Sequence, residues 1–305
     1  MIYRILMMCA DAGGSPPVGS GKAIFGYGYD TFYYSIKNLV SNTGVVSYDV
    51  NGVGTARSGL AAASYGTDKA IFGYGVSGTF TSTYYSLTNL VSNIGVVSTD
   101  TTGVGTARNL LAAASYGTDK AIFGYGYTSY SMTNLVSNLG VVASDVTGVG
   151  TARYGLAAAG YGGDKAIFGY GRIIYMLLSL TNLVSNSGVV ASDVTGVGTA
   201  RVGLAAAGYG TDKAIFAYGS IVGNVNIANL VSNSGVVSND VTGVGTYRYY
   251  LAAAGYGGDK AIFGFGFDGG SLATTNLVSN SGVVSNNVTG VGSSRQGLAA
   301  ASFGG

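Results

Sequence analysis

The sequence predicts an all-β fold, a six-bladed β-propeller with four antiparallel strands per blade, and three observations predict it. First, a phrase close to "KAIFGYG" recurs with its lysine at Lys22, Lys69, Lys120, Lys165, Lys213 and Lys260, at intervals of 47, 51, 45, 48 and 47 residues. Periods near that length belong to propellers and repeat arrays. Second, each period divides into four short apolar runs separated by turn residues, and no segment carries helical spacing. Third, the repeat starts and stops in mid-phrase. "GSGKAIFGYG" at 19–28 has no "GLAAAS" directly before it, whereas "RQGLAAASFGG" at 295–305 has no "KAIFGYG" after it.

The unit that opens at Arg153 shows the elements in order. "GLAAAGY" (155–161) is a strand of small residues, suited to the innermost place where units crowd a common axis. A Gly-Gly-Asp turn leads to "KAIFGYG" (165–171), apolar on both alternating faces as a strand covered on both sides should be. A variable segment precedes the third run, "TNLVSN" (181–186). The fourth run, "GVVASDV" (188–194), carries Ser and Asp and suits an outer edge, where polar residues discourage pairing with other chains. "TGVG" then leads to the next Arg. On this pattern residues 297–303 should supply the innermost strand of the blade whose other strands lie near 22–28, 36–41 and 45–50. An open stack would need capping units at its ends; here the two partial units complement each other.

Composition narrows the function classes. Gly is the commonest residue at 53, and 47% of the chain is hydrophobic, yet no stretch reaches the 18 or so apolar residues of a membrane helix. A net charge of +2 with both signs interspersed argues against nucleic-acid binding and against a membrane-surface patch. His, Glu and Trp are absent and Cys9 is the only cysteine, so an intrachain disulfide, a Cys/His zinc site and a Ser-His-Asp or Cys-His relay are all excluded. No metal, no cofactor and no enzymatic activity are expected. Paired Asp residues could in principle act as acid and base, but most of the Asp residues belong to the repeat.

Repeated charges form one set of candidates. Asp49, Asp100, Asp145, Asp193 and Asp240 each precede an Arg by eight residues, namely Arg57, Arg108, Arg153, Arg201 and Arg248, while Asn287 takes the Asp place before Arg295. A ring of Arg at a channel mouth could hold an anion. Sixfold repetition beside a matched acid favours a structural brace for the crossover between units. The Asp-Lys pairs of the "TDK" and "GDK" turns read as turn chemistry and solvated charge.

The places where the units differ form the other set. The segment after "GYG" changes completely from unit to unit, and so does the residue after each Arg: Ser58, Asn109, Tyr154, Val202, Tyr249 and Gln296. In an up-and-down blade both places emerge on one face, and the near-invariant turns on the other. A rigid frame with variable loops is where binding usually resides. Units one to three present Phe32, Tyr33, Tyr34, Phe80, Tyr84, Tyr85, Tyr127 and Tyr130 among Ser, Thr and Gly, and Tyr154 and Tyr249 join them as candidate ligand contacts. Tyr offers a large amphipathic surface at low entropic cost. Unit four presents Ile173, Ile174, Tyr175, Met176 and Leu177 in succession, a candidate partner contact, because an exposed run of that kind is a liability unless covered. The competing expectation is that these loops fold down and seal their own blades.

Residues 1–20 lie outside the repeat, which occupies 21–305. "RILMMCA" resembles the start of a secretion signal, is a poor match to a lipoprotein cleavage site, and imitates "RQGLAAA", the strand expected in blade one. A docking arm, stiffened by Pro16 and Pro17, is the preferred reading.

An Arg before the inner strand, an apolar strand ending in "AIFGYG" and the unit length together resemble kelch repeats, with a Tyr between the two glycines. The wording "DKAIFGYG…TNLVSN…GVV…TGVGTAR", over residues 21–305, also resembles kelch-like repeats in virion proteins of tailed bacteriophages. That resemblance implies a non-enzymatic structural and binding module on the particle surface or tail fibre. Its expected partners are other virion proteins, a host surface glycan or further copies of the chain. The alternative is a cell-surface lectin or adhesin on the same scaffold.

Overall fold

Burial sets the architecture. In the computed structural model, which describes residues 21–78, 81–127 and 130–304, every strand is β and every pairing between strands is antiparallel. The N-terminal extension, with the reading of it as a docking arm, lies outside the described residues.

The strands fall into six three-stranded sheets, one per unit, and a two-stranded hairpin. Unit one combines β1 (Lys22–Tyr29) and β2 (Tyr33–Val40) with the last strand of the chain. Unit two holds β3 (Ala61–Tyr65), β4 (Lys69–Ser77) and β5 (Thr83–Val91), and unit three holds β6 (Ala112–Tyr116), β7 (Lys120–Gly126) and β8 (Tyr130–Val136). Unit four has β9 (Ala157–Tyr161), β10 (Lys165–Gly169) and β13 (Thr181–Val184), with the hairpin β11 (Arg172–Ile173) and β12 (Met176–Leu177) between the last two. Unit five has β14 (Ala205–Tyr209), β15 (Lys213–Ala217) and β16 (Ala228–Val231); unit six has β17 (Ala252–Tyr256), β18 (Lys260–Phe267) and β19 (Ser271–Val278). The last strand, β20 (Ala299–Phe303), pairs with β1 from Lys22↔Phe303 to Gly26↔Ala299, in the sheet order β2-β1-β20.

The first strand of each sheet is an Ala run because its neighbours are close. β3, β6, β9, β14, β17 and β20 pack successively against one another, and β20 packs against β3. Two series of backbone hydrogen bonds tie the units. At one end the Gly59 N–H donates to Gly297 O, Leu110 to Gly59, Gly155 to Leu110, Gly203 to Gly155, Tyr250 to Gly203 and Gly297 to Tyr250, so the series returns to its start. At the other end Gly66 donates to Asp119 O, Gly117 to Asp164, Gly162 to Asp212, Gly210 to Asp259, Gly257 to Gly21 and Gly304 to Asp68. Gly304 and Gly21 thus share the work that a single turn does in the other units.

The middle strand supplies the core. Ile24, Phe25 and their counterparts in every unit are wholly buried, and Tyr27 packs edge-on against Phe72 of the next unit, with ring centroids 5.2 Å apart. The same contact repeats as Tyr74–Phe123, Tyr125–Phe168, Tyr170–Phe216, Tyr218–Phe263 and Phe265–Phe25. Gly26 makes this approach possible, since a Cβ there would stand 2.8 Å from the Phe72 ring. The aromatic residue that follows is left-handed in every unit (φ 64° at Tyr27), a conformation that costs a side-chain-bearing residue about 1–2 kcal/mol and must be held by its surroundings.

The expected fourth strand does not form as a strand. The outer run touches the third strand only at isolated bridges, Lys37↔Val50 and Val40↔Val46 in unit one. Side chains take over the ladder between them. The Leu39 N–H donates to Ser47 Oγ (2.9 Å), and Ser47 O accepts from Asn38 Nδ2 (3.0 Å) instead of from a backbone amide. The expectation of four strands per unit is corrected to three strands and a side-chain-tied edge.

Candidate functional site

The residues that differ between units are presented by the part of the frame that differs least. Each crossover is clamped by its Arg, and all six of these guanidinium side chains are fully buried. Arg57 donates from Nε to Tyr74 O (2.7 Å), from Nη1 to Thr55 O (2.9 Å) and from Nη2 to Asn89 Oδ1 (2.7 Å). Its Cζ also lies 4.3 Å above the centre of the Tyr27 ring in the preceding unit. Burial raises the Tyr27 phenol to about 12, against the opposing pull of Arg57, and the Tyr27 hydroxyl donates to Val53 O in the crossover. The guanidinium thereby fixes the left-handed tyrosine of one unit to the sheet of the next.

The acid partner differs from the one sequence spacing suggests. Asp100 sits at 4.0 Å from Arg57, Asp145 at 3.9 Å from Arg108, Asp193 at 3.9 Å from Arg153 and Asp49 at 3.9 Å from Arg295. Each of these four Arg therefore faces the Asp of its own unit, some forty residues on in units two to four, and not a residue eight positions before it. A buried Asn relays between the two charges. Asn89 accepts from Arg57 and donates from Nδ2 to Asp100 Oδ1 (2.9 Å), and Asn229 joins Arg201 to Asp240 in the same way. Burial raises each of these carboxyls, but bonds from the crossover Thr and the relay Asn more than reverse it, so Asp100, Asp145, Asp193 and Asp240 all lie below the usual carboxylate value. Asp49 is lowered likewise, with Ser293 in the Thr role. In unit six, Asn276 relays from Arg248 to Asn287, and Arg248 Nε has no partner among the described residues. With every guanidinium sealed in this way, no cationic ring faces the axis. The axial cavity of about 70 Å³ is lined instead by residues such as Leu60, Leu111, Leu156 and Leu204.

The two variable places meet in every unit. Isolated bridges join Tyr29↔Gln296, Ser58↔Val76, Asn109↔Tyr127, Tyr154↔Arg172, Val202↔Ser220 and Tyr249↔Phe267, each linking the residue after an Arg to the residue after a "GYG"-type triplet. Neighbouring loops are also joined: Tyr33 Oη donates to Gly78 O (3.3 Å), and Asn224 Nδ2 to Asp268 Oδ1 (2.9 Å). The near-invariant turns meet at the opposite end, where Asn186 Nδ2 donates to Asp164 Oδ2 (2.9 Å).

Most of the expected contact residues reach solvent there. Phe32, Tyr84 and Tyr127 are exposed; Tyr33, Tyr34, Tyr85, Tyr130, Tyr154 and Tyr249 are half-buried. Phe80 lies outside the described residues. Tyr29 stacks obliquely on Tyr33, Tyr127 meets Tyr154 edge-on at 5.1 Å, and Tyr85 Oη shares a 2.9 Å hydrogen bond with Ser77 Oγ. In the unit-four hairpin Ile174, Tyr175 and Met176 are exposed, Ile173 and Leu177 are half-buried, and Leu178 turns inward. Among the described residues the aromatic contacts on this face fall into separate groups, such as Tyr29 with Tyr33 and Tyr127 with Tyr154.

Two residues stand out that sequence reasoning did not place in the site. Tyr250 occupies the position that is Gly in four units, with φ 53°, and its neighbour in kind is Leu110 with φ 52°. Tyr250 borders both a groove of about 460 Å³ with Arg172, Tyr175 and Tyr249, and one of about 270 Å³ with Tyr29, Asn109 and Gln296. The signal was the departure of "RYYLAAA" from "RxGLAAA". Among the described residues no group of three or more His, Cys, Asp or Glu could hold a metal ion.

No protein-family model matches the chain, and comparison with curated proteins finds no relative.

Proposed function

We propose that the chain is a closed six-bladed β-propeller, kelch-like in its repeat, that serves as a non-enzymatic structural and binding module on the surface of a virus particle such as a phage tail fibre. The variable face contacts a host glycan or a neighbouring particle protein. The observation that carries this reading is the sixfold bridge between the two variable places, because it brings the two most variable stretches of each unit together on one side of a repeating frame. Loops that only sealed their own units would have no reason to differ in all six. Exposed Ile174 and Met176 suit a protein neighbour, whereas the Tyr, Ser and Thr of the variable loops suit a sugar.

The test is a pair of substitutions at the tip of β5, Tyr84→Ala with Tyr85→Ala. Retention of the purified chain on host envelope fractions should fall at least about tenfold, because aromatic anchors commonly contribute about 2 kcal/mol or more. Thermal stability should fall by no more than about 1–2 kcal/mol, since Tyr84 is exposed and half-buried Tyr85 gives up one hydrogen bond to Ser77. Unchanged retention would overturn the assignment of binding to this face.

A further inference from the structure

Arg172 is unlike the other arginines of the described residues. It stands in a variable segment, at the base of the β11–β12 hairpin, and takes no part in the crossover clamps. Among the described residues of those segments the only other cation is Lys37, whose ammonium donates to Gly95 O (2.9 Å). Arg172 spends Nη2 on Ile174 O (2.7 Å) and leans toward Tyr154, its Cζ 5.7 Å from that ring's centre. Its Nε is buried with no partner among the described residues, and it enters no ion pair there.

The surroundings explain what this donor lacks. Arg172 lines the groove of about 460 Å³ together with Tyr175, Leu177, Val202, Ser220, Ile221, Tyr249 and Tyr250. Three tyrosines give flat amphipathic walls, Ser220 a hydroxyl, and no carboxylate lines the groove. Tyr250 holds its place at a positive φ where a Gly would be unstrained, a conformation that persists only where surroundings over-determine it. Tyr175 at the hairpin tip is 96% exposed, so the outer wall stands free of the frame.

We propose that this groove binds the carboxylate-bearing residue of an acidic saccharide. The Arg172 guanidinium receives the carboxylate, and Tyr175, Tyr249 and Tyr250 hold the faces of the sugar rings. Arg172 brings a cation unpaired among the described residues to a groove without a carboxylate, and a planar carboxylate matches the guanidinium fork better than a neutral hydroxyl does. Aromatic walls with scattered hydroxyls favour a sugar over an acidic peptide, whose side chains would need deeper apolar recesses. The proposal rests on the variable face being the binding face, and it names the ligand chemistry of one sector.

The experiment uses the full chain on an array of carboxylated, sulfated and neutral oligosaccharides, with methyl esters of the carboxylated ones. Retention should favour the carboxylated sugars and disappear on esterification. Arg172→Gln should weaken it at least about tenfold, Arg172→Lys should restore part of it, and Val96→Ser with Val141→Ser, at exposed residues of the opposite end, should leave it intact. Equal retention of neutral sugars or esters, survival through Arg172→Gln, or no retention of any sugar would overturn the proposal. Acidic peptides that bind in an Arg172-dependent way while sugars do not would overturn it as well. None of these outcomes touches the wider reading of the face, which falls only if the Tyr84/Tyr85 variant keeps full retention on host envelope.

Discussion

Arg153 makes three hydrogen bonds, to Tyr170 O, Thr151 O and Asn182 Oδ1, and covers the Tyr125 ring at 4.4 Å. Truncation to Ala would strand three acceptors in the interior and open a cavity between two units. Arg153→Ala should therefore destabilise the fold by about 3–5 kcal/mol, read by denaturant unfolding; a loss under 1 kcal/mol would contradict the clamp. The carboxylates at the other end of the relay set the acid limit. Their folded pKa values lie below the ordinary 3.8, so their contribution is complete above that value and fades as pH falls below it. Asn287→Asp should add a sixth such group. Its gain in thermal midpoint at pH 7 should shrink progressively as pH falls below 3.8, and a gain independent of pH would show that the relay carries no charge. The repeated Arg and Asp were legible as a structural set. Their pairing was not, because spacing in sequence favoured the nearer acid, whereas the relay Asn of "TNLV", buried at every occurrence, carries the link to the farther one.

At the scale of the strand, the inner Ala run and the doubly covered "KAIF" strand could be read directly from side-chain volume and polarity. The outer run could not, since its Ser and Val alternate as a strand would. What changes it is local hydrogen bonding, with Ser side chains accepting the amides that a backbone ladder would use. Leu39, Leu90, Leu230 and Leu277 each donate to a Ser Oγ of the outer run at 2.9–3.0 Å. In units three and four Ala143 and Ala191 occupy that Ser position, so Leu135 and Leu183 have no hydroxyl to meet. Hydrogen exchange should be faster at the amides of Leu135 and Leu183 than at the other four. Equal protection across all six would mean that the outer run pairs as an ordinary strand.

For the whole molecule, the partial phrases at 19–28 and 295–305 pointed to a shared sheet, and β20 pairs with β1. Arg295 strengthens that junction, donating to Tyr27 O (2.7 Å) and Asn38 Oδ1 (2.6 Å) of unit one. Removing residues 296–305 should expose the Ala-rich strands β3 and β17 and cause loss of cooperative unfolding with aggregation; a monomeric, cooperatively folding product would show that the junction is dispensable. The variable face was legible as a set of positions because six units in one chain can be compared with each other. Which of its residues act together was not, since Arg172 comes from unit four and Tyr249 and Tyr250 from the start of unit six, and they line one groove only in the folded chain.

The central claim is that binding belongs to the variable face while the opposite end is scaffold. It is tested most directly by measuring retention on host envelope for two double variants, one at each end. One carries Tyr84→Ala and Tyr85→Ala; the other carries Val96→Ser and Val141→Ser, at residues exposed in the near-invariant turns. The account predicts at least about a tenfold loss for the tyrosine variant and retention within about twofold of the parent for the valine variant. Loss confined to the valine variant, with the tyrosine variant unchanged, would contradict it.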